Sequence, residues 1–174
     1  MTAPLLVRLG AHDRALMLRC AISPAAPRAS RVGWAAVTHL GGTGVSVTAA
    51  GLPLLACCEL HRAGELALAS VVISHLLVQL VKRTVGRGRP SSWGDFSTAI
   101  REPDRFSFPS GHATASLAVA LSYGIVFPVS AGALLFLALM VGFSRVRLAV
   151  HYPSDVLVGQ LIALATVAGV WAVR

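Results

Sequence analysis

The sequence predicts an all-α integral membrane bundle, with about five transmembrane helices behind an N-terminal amphipathic helix at the interface. Three observations predict it. Mean hydropathy is +0.72. Apolar residues make up 55% of the chain and charged residues only 13%, where a soluble domain carries ~25% charged. Apolar runs also alternate with short polar connections along 174 residues, a length that suits one domain.

The elements follow in order. Residues 1–38 alternate Leu5, Leu6, Leu9, Leu16, Met17 and Leu18 with Arg8, Asp13, Arg14 and Arg19, the pattern of a helix lying on a membrane surface. Ser23–Pro24–Ala25–Ala26–Pro27 breaks it. Trp34 and His39 suit the interface, and a glycine-rich turn, Gly41–Gly42–Thr43–Gly44, follows. The first spanning segment is read at 45–60, although Gly51 and Pro53 interrupt it. The second covers 65–82, the third 113–127, the fourth starts at 129 or 130 and runs to about 144, and the fifth starts at 154 or 155 and runs to 173, with Ser154 expected as its cap. A polar loop rich in Gly, Pro and Arg fills 83–108. This gives an interfacial segment, 1–40, and a membrane domain, 41–174.

Net charge is +8, from 15 Lys+Arg against 7 Asp+Glu. No recognition helix, zinc-finger spacing or RNA-binding aromatic motif accompanies it, so nucleic acid is excluded as the partner. Membrane lipids and a phosphate-bearing lipid remain. Cys20, Cys57 and Cys58 do not form a disulfide framework and read as packing residues, with lipidation the other reading. Arg8, Arg14 and Arg19 interrupt the N-terminus, which does not read as a cleaved signal peptide.

Three polar stretches carry the chemistry. The stretch 144–155 sets Arg145, Arg147, His151 and Asp155 between two apolar runs. His151 can act as a nucleophile, Asp155 can hold its other ring nitrogen, and Arg145 can grip an anion with its fork. The same stretch also reads as an interfacial loop with basic residues on lipid headgroups. Lys82–Arg83–Thr84–Val85–Gly86–Arg87–Gly88–Arg89–Pro90 ends a helix. Its glycines let the chain turn so that Lys82 and Arg89 meet on one phosphate; a basic juxtamembrane stop signal is the other reading. Pro109–Ser110–Gly111–His112 precedes a helix, whose first N–H groups and dipole favour an anion. There His112 can protonate a leaving oxygen. Alone, this tetrapeptide also reads as a plain cap. Counting crossings from the second span puts all three stretches at one membrane surface.

Together the stretches read Lys-x6-Arg-Pro, Pro-Ser-Gly-His and Ser-Arg-x5-His-x3-Asp. In this order, between hydrophobic helices, they resemble the signature of the type 2 phosphatidic acid phosphatase family. That is the lipid phosphate phosphatase branch of a superfamily that also holds vanadium haloperoxidases and soluble bacterial acid phosphatases. All eleven signature positions match. The resemblance implies His151 as the nucleophile that forms a phosphohistidine, Asp155 as its orienting partner, and His112 as the acid for the departing alcohol. It implies Lys82, Arg89, Ser110, Gly111 and Arg145 as the phosphate cradle. It implies no metal and no cofactor. Of the seven acidic residues only Asp155 falls inside a motif, so no carboxylate cluster for magnesium is expected.

The implied reaction is hydrolysis of a lipid phosphomonoester or pyrophosphate. Phosphatidic acid, phosphatidylglycerol phosphate, undecaprenyl pyrophosphate and other polyprenyl phosphates are the candidate substrates. A vanadate-dependent haloperoxidase, and an inactive membrane scaffold or transporter with an anion site, are the rivals. The larger family members have six spans; about five are read here. The implied location is the bacterial inner membrane. Arg8, Arg14, Arg19, Arg28 and Arg31 count toward a cytoplasmic site, whereas the resemblance implies the outer face. Oligomeric state is not legible.

Outside the motifs, His75, Gln79 and Lys82 share one helix face and read either as a polar wall leading to the phosphate or as inter-helix hydrogen bonding. Trp93, Phe96, Phe106 and Phe108 read as an aromatic belt or a clasp on a lipid tail. Gly132, Gly142, Gly159 and Gly169 read as points of close helix packing.

Overall fold

The computed structural model describes residues 5–23, 25–93 and 104–174. The helices are α1 (Leu5–Cys20), α2 (Arg28–His39), α3 (Thr43–Gly51), α4 (Cys58–Val85), α5 (Gly111–Val126), α6 (Pro128–Arg147) and α7 (Pro153–Ala172). Single tight turns at Leu52–Leu55 and Pro90–Trp93 complete the list. Among the described residues there is no strand, only an isolated antiparallel bridge between Gly88 and Phe106.

Among the described residues, three helices are long and apolar enough to cross a membrane: α4, α6 and α7. The other two expected spans are shorter. Helix α5 has 16 residues, ~24 Å at 1.5 Å per residue against a hydrocarbon core of ~30 Å. The span expected at 45–60 is divided. Pro53, which has no N–H to donate, tightens the end of α3 into the turn Leu52–Leu55. Ala56 is then extended, and Cys58 starts α4 with φ +59°, so Leu60 belongs to the next helix. Cys57 and Cys58, expected in packing, are exposed at this break.

The later boundaries lie close to expectation. Helix α6 runs three residues beyond 144, which puts Arg145 and Arg147 in its last turn. Helix α7 is not capped by Ser154. Tyr152 precedes it, and Asp155 at the third position accepts the Tyr152 N–H at 2.9 Å. Of the expected loop 83–108, Arg83–Val85 is helical; residues 94–103, with Phe96, and the side chain of Trp93 lie outside the described residues.

The core is built largely from alanine. Ala50, Ala67, Ala118, Ala120, Ala138 and Ala163 pack with Val71, Leu117 and Val167 between α3, α4, α5, α6 and α7. Small residues suit helices in lipid, where close backbone approach replaces the hydrophobic drive of water. Large side chains such as Leu76, Leu80, Phe136 and Leu161 face outward.

Two of the four expected packing glycines meet a neighbour. A Cβ on Gly159 would lie 2.6 Å from the Ser110 carbonyl oxygen and 2.8 Å from Thr114 Oγ1. One on Gly142 would lie 2.8 Å from Gln160 Nε2. Gly132 and Gly169 have nothing within 4 Å. Gly159→Ala is therefore expected to destabilise by about 1–3 kcal/mol, because backbone must shift to admit the methyl. Gly169→Ala is expected to be neutral. Thermal midpoints in detergent check both.

Candidate active site

The three motifs meet at one end of the bundle. Lys82 lies in the last turn of α4, buried. Gly86 ends that helix in the left-handed region, φ +63°, its N–H donating to the Lys82 carbonyl at 3.0 Å. The chain turns back, and Arg89 enters the interior at 2% exposure. Its Nη1 donates to the Val150 carbonyl at 2.8 Å and lies 3.4 Å from His151 Nε2. The Ser110 N–H donates to the Asp155 carbonyl at 2.9 Å, joining the start of α5 to the start of α7.

His151 sits in the connection between α6 and α7 at 1% exposure. Its Nδ1 is 3.5 Å from Asp155 Oδ2, a long contact for a hydrogen bond. Asp155 is fully buried and saturated by other donors. Arg87 Nη1 donates to Oδ1 at 2.8 Å, the Tyr152 N–H donates to Oδ2 at 2.9 Å, and the Ser107 hydroxyl makes a very short bond to Oδ2. With the carboxylate on the Nδ1 side, the proton belongs on Nδ1 and the Nε2 lone pair faces Arg89. Burial, then the charges of Arg145 and Arg89, push the His151 pKa down to about 4, against the opposing pull of Asp155. The ring is neutral at physiological pH.

Arg145 is also buried, and its Nη1 donates to Thr38 Oγ1 at 2.6 Å, so α2 reaches the site. Arg145, His151, His39 and Arg89 all lie within electrostatic reach of His112. Ser110 Oγ is buried and has no hydrogen-bond partner among the described residues. It is a donor available to an anion oxygen beside the first turn of α5. Among the described residues, no three His, Cys, Asp or Glu side chains gather as metal ligands.

Sequence reasoning missed several residues here. Asp104 takes Lys82 Nζ at 2.8 and 3.0 Å and Arg89 Nη2 at 3.0 Å. Its burial alone would raise its pKa, but Lys82 and Arg89 hold it below the usual carboxylate range. Arg87, Ser107, Thr38 and Asp13 also join the network. Arg87 had a signal, since it lies inside the first motif; the others had none.

A cavity of about 260 Å³ opens from the site between α3, α4 and α5. Lys82, Asp104, Gly111 and His112 line one end. His75 and Gln79 line its wall on α4, 3.5 Å apart, with Val47, Val71 and Leu76 nearby. His151 is not on this lining.

The sequence model of the PAP2 superfamily matches residues 65–174. The lipid A 1-phosphatase of Rhizobium etli is 38% identical over 101 residues, 55% of this chain and 44% of that protein. The decaprenylphosphoryl-5-phosphoribose phosphatase of Mycolicibacterium smegmatis is 40% identical over 91 residues, 52% of this chain and 49% of that one. The matches thus span about half or less of these curated relatives. The crystal structure of the transmembrane PAP2-type phosphatidylglycerolphosphate phosphatase from Bacillus subtilis superposes with a TM-score of 0.78 at 23% identity, over 95% of this chain and 85% of that one.

Asp104 occupies the cations that an incoming anion would need. Asp104→Asn is expected to tighten inorganic phosphate by about tenfold, ~1.4 kcal/mol of removed competition. Calorimetric titration of phosphate into the detergent-solubilised protein checks it; unchanged affinity would show that Asp104 and phosphate do not compete.

Proposed function

Because the chain belongs to the PAP2 superfamily, we propose that it hydrolyses a phosphomonoester or pyrophosphate on a membrane lipid through a phosphohistidine intermediate. The observation that carries this reading is the buried His151, with Nε2 facing Arg89 at 3.4 Å and Nδ1 facing Asp155 at 3.5 Å. A neutral ring so held has its lone pair beside a cation that draws the phosphoryl group in.

The steps follow. Lys82, Arg89, Arg145, the Ser110 hydroxyl and the N–H of Gly111 hold the phosphoryl oxygens. The Nε2 lone pair of His151 attacks phosphorus. The P–O bond to the leaving group breaks, and its oxygen takes a proton from His112. The phosphorylated ring carries positive charge, which Asp155 stabilises. His112 then takes a proton from water, the resulting hydroxide attacks phosphorus, and the P–N bond breaks. Inorganic phosphate leaves, and both histidines return to their starting state.

The chain is an integral membrane protein. The relatives named above are bacterial, which supports the bacterial inner membrane as its location. In this reading residues 41–174 carry the chemistry and residues 1–40 frame it. The leaving lipid lies in the cavity lined by His112, with its headgroup beside Gln79 and His75 and its apolar part toward Val71 and Leu76. The relatives are named for phosphates on lipid A and on a decaprenyl-linked ribose. Phosphatidic acid, phosphatidylglycerol phosphate and polyprenyl phosphates complete the panel of substrates to assay.

Phosphate release from that panel, in detergent with chelator present, tests the function. His151→Ala is expected to reduce turnover by at least about 10³-fold and His112→Ala by about 10²–10⁴-fold. Chelator-sensitive turnover, or full turnover in His151→Ala, would sink the reading. The pH profile gives a second check. The His151 pKa is depressed to about 4, so the nucleophile is lost only as pH falls through that value. The acid limb of kcat/KM should lie near there, well below the ~6.5 of an unperturbed imidazole.

A further inference from the structure

Arg87 forks between two carboxylates. Its Nη1 donates to Asp155 Oδ1 at 2.8 Å and its Nη2 to Asp13 Oδ2 at 2.7 Å. The guanidinium lies 4.0 Å from the centroid of the Tyr152 ring, which precedes α7. Asp13 comes from α1, far away in sequence, yet it is buried. Its Oδ1 accepts the Ser154 N–H at 3.0 Å, and its Oδ2 takes the Ser154 hydroxyl in a very short bond. Ser154 Oγ in turn accepts from Arg87 Nη1 at 2.8 Å. A carboxylate on a surface helix thus ends a continuous chain of contacts: Asp13, Arg87, Asp155, His151.

We propose that Asp13 is a positioning residue for the phosphoryl-transfer step, acting on His151 through Arg87 and Asp155. This rests on the function proposed above. Shared between two carboxylates, Arg87 only partly offsets the negative charge of Asp155. That charge remains available to the imidazole as it becomes cationic on phosphorylation. With Asp13 neutral, the whole guanidinium charge falls on Asp155, and the cationic phosphohistidine loses stabilisation. Asp13 bonds to Arg87 and Ser154, neither of which belongs to the proposed cradle, so substrate binding is expected to be unchanged. Among the described residues, the other charged or titratable groups facing His151 are Arg145 on α6, Arg89 after α4 and His112 on α5. Asp13→Asn alters none of them.

The docking of α1 has a second support that separates charge from packing. Met17, one turn after Asp13, is buried against Ala113, Val146, Ala149, Tyr152 and Val156. The Ile22 N–H donates to the Arg147 carbonyl at 2.8 Å, and Arg147 Nη1 donates to the Cys20 carbonyl at 2.7 Å. These contacts hold α1 when Asp13 is replaced.

The test compares wild type, Asp13→Asn, Asp13→Glu and Met17→Ala for kcat, KM, the acid limb of kcat/KM and the thermal midpoint. Asp13→Asn is expected to lower kcat roughly tenfold, about 1.4 kcal/mol of barrier, with KM unchanged and the acid limb moved to lower pH. Asp13→Glu should recover most of the loss. Met17→Ala should lower the thermal midpoint and leave kcat and the acid limb in place. Should Asp13→Asn not fold, Arg87→Lys, which keeps the charge but cannot fork, carries the same expectation. Wild-type kcat and acid limb in Asp13→Asn, or the same shift in Met17→Ala, would overturn the proposal. A wild type without turnover removes the enzymatic reading and this one together; an unaltered variant-to-wild-type ratio removes this one alone.

Discussion

A fully buried carboxylate at the start of a membrane helix has to be satisfied from every side, and Asp155 dictates much of the surrounding architecture by that need. An uncompensated charge there would cost several kcal/mol. Its oxygens take Arg87, Ser107 and the Tyr152 N–H, while its backbone carbonyl takes the Ser110 N–H. These donors come from the turn after α4, the loop before α5 and the connection before α7. Satisfying one side chain therefore draws the three motif segments into register. The bare Cα of Gly159, packed against the Ser110 carbonyl, closes the same joint from below.

The cations raise the opposite problem. Lys82, Arg89 and Arg145 are all buried beside one another. Asp104 answers Lys82 and Arg89, and Thr38 offers Arg145 only a neutral oxygen. Asp104 is half exposed on a loop, whereas the cations stand on helix ends and a tight turn. The removable member of the cluster is thus the anion. This suits a site in which one anion gives way to another, and Ser110 Oγ adds a donor that Asp104 does not use.

How much of this was readable follows from range. The motif residues were legible because spacing and hydropathy agreed: each stretch alone also admitted a plain interfacial or capping reading, and the three in order between apolar runs carried the site. Counting crossings sufficed to bring the stretches to one surface. Asp13 and Thr38 were not readable, since they reach Ser154 and Arg145 across 141 and 107 residues. Asp104 was hidden by its loop. Ser154 looked like a helix cap, a role serine often takes, but Asp13 of α1 claims its hydroxyl instead. Helix α3 was overextended because hydropathy does not register the turn that Pro53 forces.

The unequal helix lengths bear on how a lipid meets this site. Helix α4 has 28 residues and α5 only 16, ~42 Å against ~24 Å. If one end of α5 stood at the far boundary of a ~30 Å core, its other end, at His112, would stop ~6 Å short of the near boundary. Lys82, a turn before the end of α4, lines the same cavity as His112. On the function proposed above, the phosphate site would then be recessed below the headgroup plane, with a sidewall carrying His75 and Gln79. A polar pair exposed on a spanning helix is costly against acyl chains and not against a headgroup. On the function proposed above, a lipid entering sideways would bring its phosphate down to the cations while its chains stay in the bilayer, so that the energy of extracting it into water would not enter the barrier.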